Sequence, residues 1–342
     1  MKDKLRGKTV LVTGGTGSIG SEIVKQLLDY EVNKVIIFSR DEIKHFLVKK
    51  RILNERLVTV VGDVRDYRSV QRVFEEFNID LIYHAAAMKH VVICEDFPIE
   101  SAKTNILGTQ NVVDLAIKFG IQKMITISTD KSAYPVNVMG ATKFIGERIT
   151  LNANFSCVRF GNVANSRGSV IPVFIDNLLN KKPISITDPN VTRFIIGIPD
   201  AVKLVITATE YAKGGDIFIL KMKAFRLGDL LDLILDKIGP RLGVKDEIKV
   251  NKTGLISGEK LHEDLINNTE SNRVYELDDM YVILRNDDVS KYQNIKKIDL
   301  HEYTSKDVEL ISKDELEEIV MKYLKKYMAR GGFNNGRLNN IQ

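Results

Sequence analysis

Sixteen consecutive residues, Ser128 to Lys143, hold the groups best able to do chemistry. They read S-T-D-K-S-A-Y-P-V-N-V-M-G-A-T-K and follow the apolar stretch Met124-Ile125-Thr126-Ile127. Asp130 and Lys131 put a proton donor and a proton acceptor on neighbouring residues. That pairing suits a reaction that both deprotonates carbon and expels a hydroxyl as water. The plain alternative is a surface ion pair. Thr129 is placed to hydrogen-bond Asp130 or a substrate. Lys143 lies four residues beyond Met139, so on a helix the two share a face. An amine that acts as a base needs its pKa lowered, and a neighbouring Lys143 together with burial supplies two routes to that.

The elements that must carry these groups alternate along the first half of the chain. Short apolar runs at Val10–Val12, Val35–Phe38, Val58–Val61, Leu81–Tyr83, Met124–Ile127 and Cys157–Phe160 read as strands. Helical periodicity fills the intervals, at Ser21–Tyr30, Asp41–Asn54, Tyr67–Phe77, Pro98–Phe119 and Val138–Asn152. Such alternation predicts an α/β fold, a doubly wound parallel sheet of Rossmann type. From about Gly161 the alternation fades. Helices at Pro172–Asn180, Pro199–Tyr211 and Leu227–Ile238 and a strand at Ile184–Ile186 suggest a smaller mixed α/β substrate lobe. The expected division is a Rossmann domain over 1–165 with later segments returning to it, then a mainly substrate-binding lobe over 166–290. A C-terminal extension over 291–330 and a disordered tail over 331–342, rich in Gly and Asn, complete the chain. Within the extension, Ser312–Ala329 reads as an amphipathic helix packing on the core or on a second subunit. Ser312 and Glu315 form its capping box, with Leu316, Ile319, Val320, Tyr323, Leu324 and Tyr327 on one face.

Between the first strand and first helix runs Gly14-Gly15-Thr16-Gly17-Ser18-Ile19-Gly20. Gly14 permits the sharp turn, Gly17 lets backbone approach a pyrophosphate, and Gly20 lets helix and strand pack closely. The anion then meets the helix N-terminus. In a dinucleotide-binding chain the strand end at Ser128–Lys131 is where the reactive ring meets substrate. The second strand ends Phe38-Ser39-Arg40-Asp41-Glu42. Ser39 and Arg40, with Lys44 one turn on, read as a clamp for the 2′-phosphate of NADP in preference to NAD, while Asp41 caps the next helix. Arg40 as a solvated surface charge is the competing reading. Asp63 and Val64 are placed to meet adenine. Ala85, Ala86 and Ala87 offer small side chains where backbone must approach the cofactor.

Composition bounds the partners. The chain has 342 residues, 28% of them charged and 44% hydrophobic, and a formal net charge of +5. The cations are scattered among acids, which argues against nucleic acid. Two distant cysteines, Cys94 and Cys157, give neither metal spacing nor a disulfide framework, so a reducing cytoplasm is the expected compartment. No run approaches the roughly 18 apolar residues of a membrane span, so no membrane partner is expected.

With these residues in view, the chain resembles the extended short-chain dehydrogenase/reductase superfamily. Within it, the resemblance is to the UDP-N-acetylglucosamine 4,6-dehydratases of surface-polysaccharide biosynthesis, over residues 5–285. The motifs that carry it are T-G-G-T-G-S-I-G, F-S-R-D-E, G-D-V-R-D, H-A-A-A-M-K-H-V, K-T-N-I-L-G-T, S-T-D-K, M-G-A-T-K, R-F-G-N-V, S-R-G-S-V-I-P, T-R-F and G-E-K-L-H-E. The resemblance implies a hydro-lyase that works through bound NADP: carbon-4 of the sugar is oxidised, water leaves across carbons 5 and 6, and the hydride returns to carbon-6. It implies Lys131 as the carbon-5 base, Asp130 as the acid for the leaving hydroxyl, and Lys143 on the nicotinamide ribose. Met139 stands where the superfamily usually has Tyr and cannot transfer a proton, leaving the carbon-4 base to Asp130 or to a water held by Thr129 and Lys143. On the substrate side it implies Lys89, His90 and Asn162 near the sugar, Arg167, Arg193 and Lys260 on the UDP diphosphate, and Glu259 on the uridine ribose. Ile256-Ser257-Gly258-Glu259-Lys260 replaces the family's R-P-G-E-K, so one pyrophosphate Arg is missing. A homo-oligomer is expected. A 4-epimerase or reductase on the same scaffold, or an inactive nucleotide-sugar-binding protein, are the competing readings.

Overall fold

The computed structural model describes residues 2–166, 168–244, 248–285, 289–292 and 295–328. Arg167 and the tail 331–342 lie outside the described residues. In chain order the helices are α1 (Lys2–Leu5), α2 (Ser18–Leu28), α3 (Glu42–Arg51), α4 (Tyr67–Glu76), α5 (Val91–Asp96), α6 (Pro98–Ala102), α7 (Gly108–Lys118), α8 (Val138–Asn152), α9 (Val170–Leu179), α10 (Ile198–Tyr211), α11 (Leu227–Asp232), α12 (Gly239–Arg241) and α13 (Lys313–Met328). The strands used below are β1 (Thr9–Thr13), β2 (Lys34–Ser39), β3 (Leu57–Val61), β4 (Leu81–His84), β5 (Lys123–Ile127), β6 (Ser156–Arg159), β7 (Asn162–Val163), β8 (Ile184–Ile186), β9 (Thr192–Ile196), β10 (Ile217–Leu220), β11 (Lys223–Arg226), β12 (Val250–Lys252), β13 (Asp264–Ile266), β14 (Val274–Leu277), β15 (Met280–Ile283) and β16 (Lys296–Lys297).

Two compact units form. The first contains residues 1–160, 199–221 and 264–303. Its sheet has the order β16-β14-β15-β10-β6-β5-β4-β1-β2-β3. β3 through β10 in that order pair in parallel, and β15, β14 and β16 extend the sheet antiparallel. β1, β4, β6 and β10 are buried along their whole length, as strands of a sheet covered on both faces are. The chain runs from β1 to β2 on one side and reaches β4 on the other. The ends of β1 and β4 therefore flank a topological switch point, the crevice where α/β sheets bind ligands. Leu11, Ile36, Ile82, Val112, Leu115 and Met124 belong to one core cluster behind it.

The second unit contains 161–198, 222–263 and the described residues from Thr304 on. β9 pairs antiparallel with β11 and parallel with β7, while β8 pairs with β12. Its core joins Phe174 and Leu178 of α9, Leu230 of α11, Ile234, and Leu316, Val320 and Leu324 of α13. The capping box forms: Glu315 N donates to Ser312 Oγ at 3.1 Å, and Ser312 N donates to Glu315 Oε2 at 2.8 Å. The C-terminal helix thus packs on this unit's own core.

The later segments expected to return to the Rossmann domain fall within 166–290. The apolar segment Ile217–Leu220 is a fully buried strand that pairs in parallel with β6, and β14–β15 pair beyond it. Residues 199–221 and 264–285 therefore return to the large sheet. Three helical details differ. Val91–Asp96 forms a helix that periodicity did not signal. The stretch expected as one helix over 98–119 widens to π geometry at Lys103–Leu107, and the one over 227–238 does so at Leu233–Ile238.

Candidate active site

The glycine turn links β1 to α2. Gly14 has φ +67°, and a Cβ there would lie 2.7 Å from Ala85 O and Ala86 N. A Cβ on Gly20 would lie 2.3 Å from Gly14 O. Gly17 is the N-cap of α2 and, as glycine, supplies no side-chain cap to the helix start. A cradle closed by backbone, backed by Ala85 and Ala86 and ending on an uncapped helix fits a dinucleotide pyrophosphate. Ala87, one residue on, is exposed.

At the end of β2, Thr16 Oγ1 and Ser39 Oγ are 2.9 Å apart. Arg40 is mostly exposed and lies 3.8 Å from Asp63. Asp63 also accepts from Arg65 Nε at 2.9 Å and Nη2 at 2.7 Å. Burial alone would raise the Asp63 pKa, but the Arg65 hydrogen bonds outweigh it and hold the carboxyl below its ordinary value. Val64 is buried, and its carbonyl accepts from Asn111. Asp41 caps α3 through Lys44 N, as expected, and its other oxygen holds Lys44 Nζ at 2.5 Å.

After β5 the chain makes a single 3-10 turn, Asp130–Ser132. The Asp130 side chain is buried. Its Oδ1 accepts from Thr129 Oγ1 at 2.8 Å, from Lys131 N at 2.8 Å and from Lys131 Nζ at 3.2 Å. Its Oδ2 is buried without a hydrogen-bond partner. A bare carboxylate oxygen beside an amine is an acid–base pair with one side open. Asn137 caps α8 by accepting from Gly140 N at 2.7 Å. Met139 and Lys143 follow on buried positions of that helix, and Lys143 Nζ donates to Ile127 O at 2.5 Å. Burial lowers the Lys143 pKa. The sequence thus brings Thr129, Asp130 and Lys131 into one cluster, with Lys143 tied to the strand that leads into it.

Four further features were not read from the sequence. Ser132 Oγ lies 2.6 Å from both Thr129 O and Glu147 Oε1. Glu147 pairs with Arg159 at 2.7 Å, and Arg159 with Glu270 at 2.8 Å, all three buried. Asn105, inside the π turn, bonds Met88 N and O and Thr142 Oγ1, fixing the loop after β4 to α8. His84 bridges Thr13 at 2.7 Å and Thr109 at 3.0 Å, and burial pushes its pKa down to about 3, with Lys143 adding to the shift. The one sequence signal for the ion cluster was Glu147 standing four residues after Lys143.

Lys89 and His90 are exposed on the loop after β4, and His90 is the N-cap of α5. Burial, then Lys89, lowers the His90 pKa. In the second unit, Asn162 opens β7 opposite Ile195 of β9. Arg193 Nη2 donates to Glu259 Oε1 at 3.0 Å and to Lys260 O at 2.9 Å. Its Nη1 donates to the carbonyls of Thr192 and Leu261. Its guanidinium is thus engaged with the 259–261 segment and not presented as an open fork. Glu259 Oε2 is buried without a partner.

Glycine cradle, switch point, acid–amine turn and helix-borne lysine together define an extended short-chain dehydrogenase/reductase. The model of a family described as polysaccharide biosynthesis protein matches residues 10–285, and the chain belongs to that family. It is 43% identical over 325 residues to an uncharacterized membrane protein of Methanocaldococcus jannaschii, covering 92% of this chain and 96% of that one. It is 39% identical over 288 residues to a UDP-N-acetylglucosamine 4,6-dehydratase (inverting) of Campylobacter jejuni, covering 81% and 83%. It is 36% identical over 333 residues to a UDP-glucose 4-epimerase of Rickettsia canadensis, covering 92% and 95%. Among solved structures, Pen from Bacillus thuringiensis superposes with a TM-score of 0.86 at 37% identity, over 94% of this chain and 99% of that one. No helix among the described residues is long and apolar enough to cross a membrane.

Proposed function

We propose that this chain is a nucleotide-sugar 4,6-dehydratase that converts UDP-N-acetylglucosamine to the 4-keto-6-deoxy sugar with inversion at carbon-5. The observation that carries the reading is the Thr129–Asp130–Lys131 cluster, with one Asp130 oxygen shared by three donors and the other buried without a hydrogen-bond partner. Simple hydride transfer needs no such pair. The similarity to the Campylobacter jejuni dehydratase supports the substrate and the inversion.

The glycine cradle, Thr16, Ser39, Arg40, Asp63 and Lys143 would hold NADP. Bound there, it supplies a hydride acceptor for carbon-4 and the same hydride for carbon-6. The remaining work belongs to side chains. Lys143 orients the ribose and, as a buried cation, favours loss of the proton from the carbon-4 hydroxyl. Once carbon-4 is a ketone, the carbon-5 hydrogen is acidic and the neutral Lys131 amine removes it. Asp130, having received the carbon-4 hydroxyl proton directly or through a water, passes it to the departing carbon-6 hydroxyl, and water leaves. The pair ends as carboxylate and ammonium, which attract each other across 3.2 Å. Inversion requires the new carbon-5 proton on the opposite face, so water supplies it there, and the Lys131 ammonium gives up its proton to solvent and is restored as amine. Asp130 or a water held by Thr129 and Lys143 takes the place of the missing Tyr at carbon-4. Asn162, Arg193, Glu259 and Lys260 recognise the uridine diphosphate, with Arg193 acting through the segment that it braces. Lys89 and His90 meet the sugar.

Incubation of the purified protein with UDP-N-acetylglucosamine tests this. Loss of one water by mass, with solvent deuterium entering carbon-5, is the expected result. The epimerase relatives, matched over nearly their whole length, favour the second reading: a product of unchanged mass epimeric at carbon-4 would establish it in place of the first.

A further inference from the structure

Helix α3 carries a buried titratable group that the chemistry above leaves idle. His45 is 4% exposed. Its Nε2 is 2.8 Å from the Ser39 carbonyl oxygen and 2.8 Å from Ser39 Oγ, and Ser39 Oγ in turn contacts Thr16 Oγ1. Its Nδ1 is buried without a hydrogen-bond partner.

These contacts fix a proton. A carbonyl oxygen only accepts, so Nε2 carries the hydrogen. A hydrogen on Nδ1 would be a buried donor without an acceptor, which is costly, so the contacts select the Nε2–H tautomer. The same N–H faces the Ser39 hydroxyl oxygen, so Ser39 receives from His45 and its own hydrogen must point elsewhere. On its other side the hydroxyl meets Thr16 Oγ1 at 2.9 Å, and Arg40 is the next residue in the chain. A 2′-phosphate offers only acceptors and a negative charge, whereas a 2′-hydroxyl also needs an acceptor for its own hydrogen. A corner built of a directed donor and a guanidinium favours the phosphate.

We infer that His45 is a positioning residue for cofactor selection: by donating to Ser39 it holds that hydroxyl as a donor toward the 2′ position, and so sets the preference for NADP over NAD. The inference rests on the NADP reading above, and the test separates the two.

Calorimetric titration of the wild type with NADP and with NAD comes first. No preference for NADP would overturn that reading and this inference with it. Given a preference, His45→Leu should weaken NADP by about five- to tenfold, the worth of one directed hydrogen bond, and leave NAD unchanged. His45→Gln, whose amide can still donate, should recover most of the loss. Equal weakening of both cofactors would reduce His45 to a packing residue, and an unchanged ratio would overturn its role. Should His45→Leu not fold, ¹⁵N spectra of the wild type decide, with only five histidines to assign. His45 is expected as the Nε2–H tautomer, responding to 2′,5′-ADP and much less to 5′-ADP. An Nδ1–H tautomer, or equal responses, would overturn the inference.

Discussion

Replacing Gly140 with Ala adds one carbon atom at the point where α8 meets the acid–amine turn. A Cβ at 140 would lie 2.4 Å from Lys131 O and 3.2 Å from Lys131 C and Asn137 Oδ1. Comfortable contact needs about 3.5 Å, so about 1 Å of separation is lacking. The obstacle is backbone, so no rotamer change relieves it. Either the first turn of α8 or the Asp130–Ser132 turn must retreat, and the latter carries both groups proposed to transfer protons. Misplacing reacting groups by 1 Å costs about 10²-fold in rate, and that is the expected loss in kcat. Alanine contributes about 1 kcal/mol of helix propensity, against about 1–3 kcal/mol for overpacking, so stability should fall by no more than about 2 kcal/mol. Cofactor affinity should hold, because the glycine cradle is built on β1 and α2. Steady-state dehydration of UDP-N-acetylglucosamine, a cofactor titration and a urea melt together check this. A variant as active as the parent would refute the claim that this close approach sets the catalytic geometry.

Lys131→Ala should abolish carbon-5 deuterium exchange and water loss while leaving NADP bound; turnover with full exchange would remove Lys131 as the base. Arg40→Asp should move preference toward NAD by about tenfold or more, the scale of one charge-assisted hydrogen bond, read by titrating both cofactors. Met139→Tyr should slow turnover, since position 139 is only 4% exposed and a ring must displace its neighbours; a faster enzyme with a new basic limb in its pH–rate profile would mean that the phenol resumes a proton-transfer role. Glu147→Gln addresses stability. Burial alone would raise the Glu147 pKa, but Arg159 and Ser132 outweigh it and the folded value lies below the ordinary 4.5. The stabilisation is therefore complete above that value and is lost as pH falls through the lower, folded one. The variant should lose that acid-limb slope and about 3 kcal/mol at neutral pH, measured by denaturant melts from pH 7 to pH 3.

Periodicity and local chemistry carried much of the fold. Val138–Asn152 forms with the bounds that its pattern predicts. Ser312 with Glu315, and Asp41 on Lys44, cap their helices as their spacing implies, because caps depend on residues three apart. Contacts between distant segments were not legible. Arg159 meets Glu147 twelve residues away and Glu270 far beyond, and neither separation has a period. The same holds for Arg193: its side-chain type suggested phosphate, while its partners, Glu259 and the carbonyls around it, are fixed by tertiary packing. Val91–Asp96 is a single short helix with exposed Val92 and Ile93, too brief and too outward-facing for periodicity to reveal.

Tyr-x-x-x-Lys sites place the proton-transferring phenol and the lysine on one helix, so helix geometry alone fixes their relation. With Met at 139, the acid and the amine sit on a separate turn, and something else must hold that turn to α8. Two contacts do so. Gly140 lets Lys131 O approach the first turn of the helix, and Ser132 bridges the turn to Glu147, two turns further on. Lys143 lies between these points on the helix. Glu147 is itself fixed by the Arg159 fork through two bonds, at 2.8 Å and 2.7 Å. A bidentate pair buried among partners tolerates little rotation, so the clamp is stiff where a lone surface pair would not be. The position of Asp130 and Lys131 relative to Lys143 is thereby set without position 139. That leaves Met139 free to serve as packing, and it moves the site's sensitivity to Gly140 and Ser132.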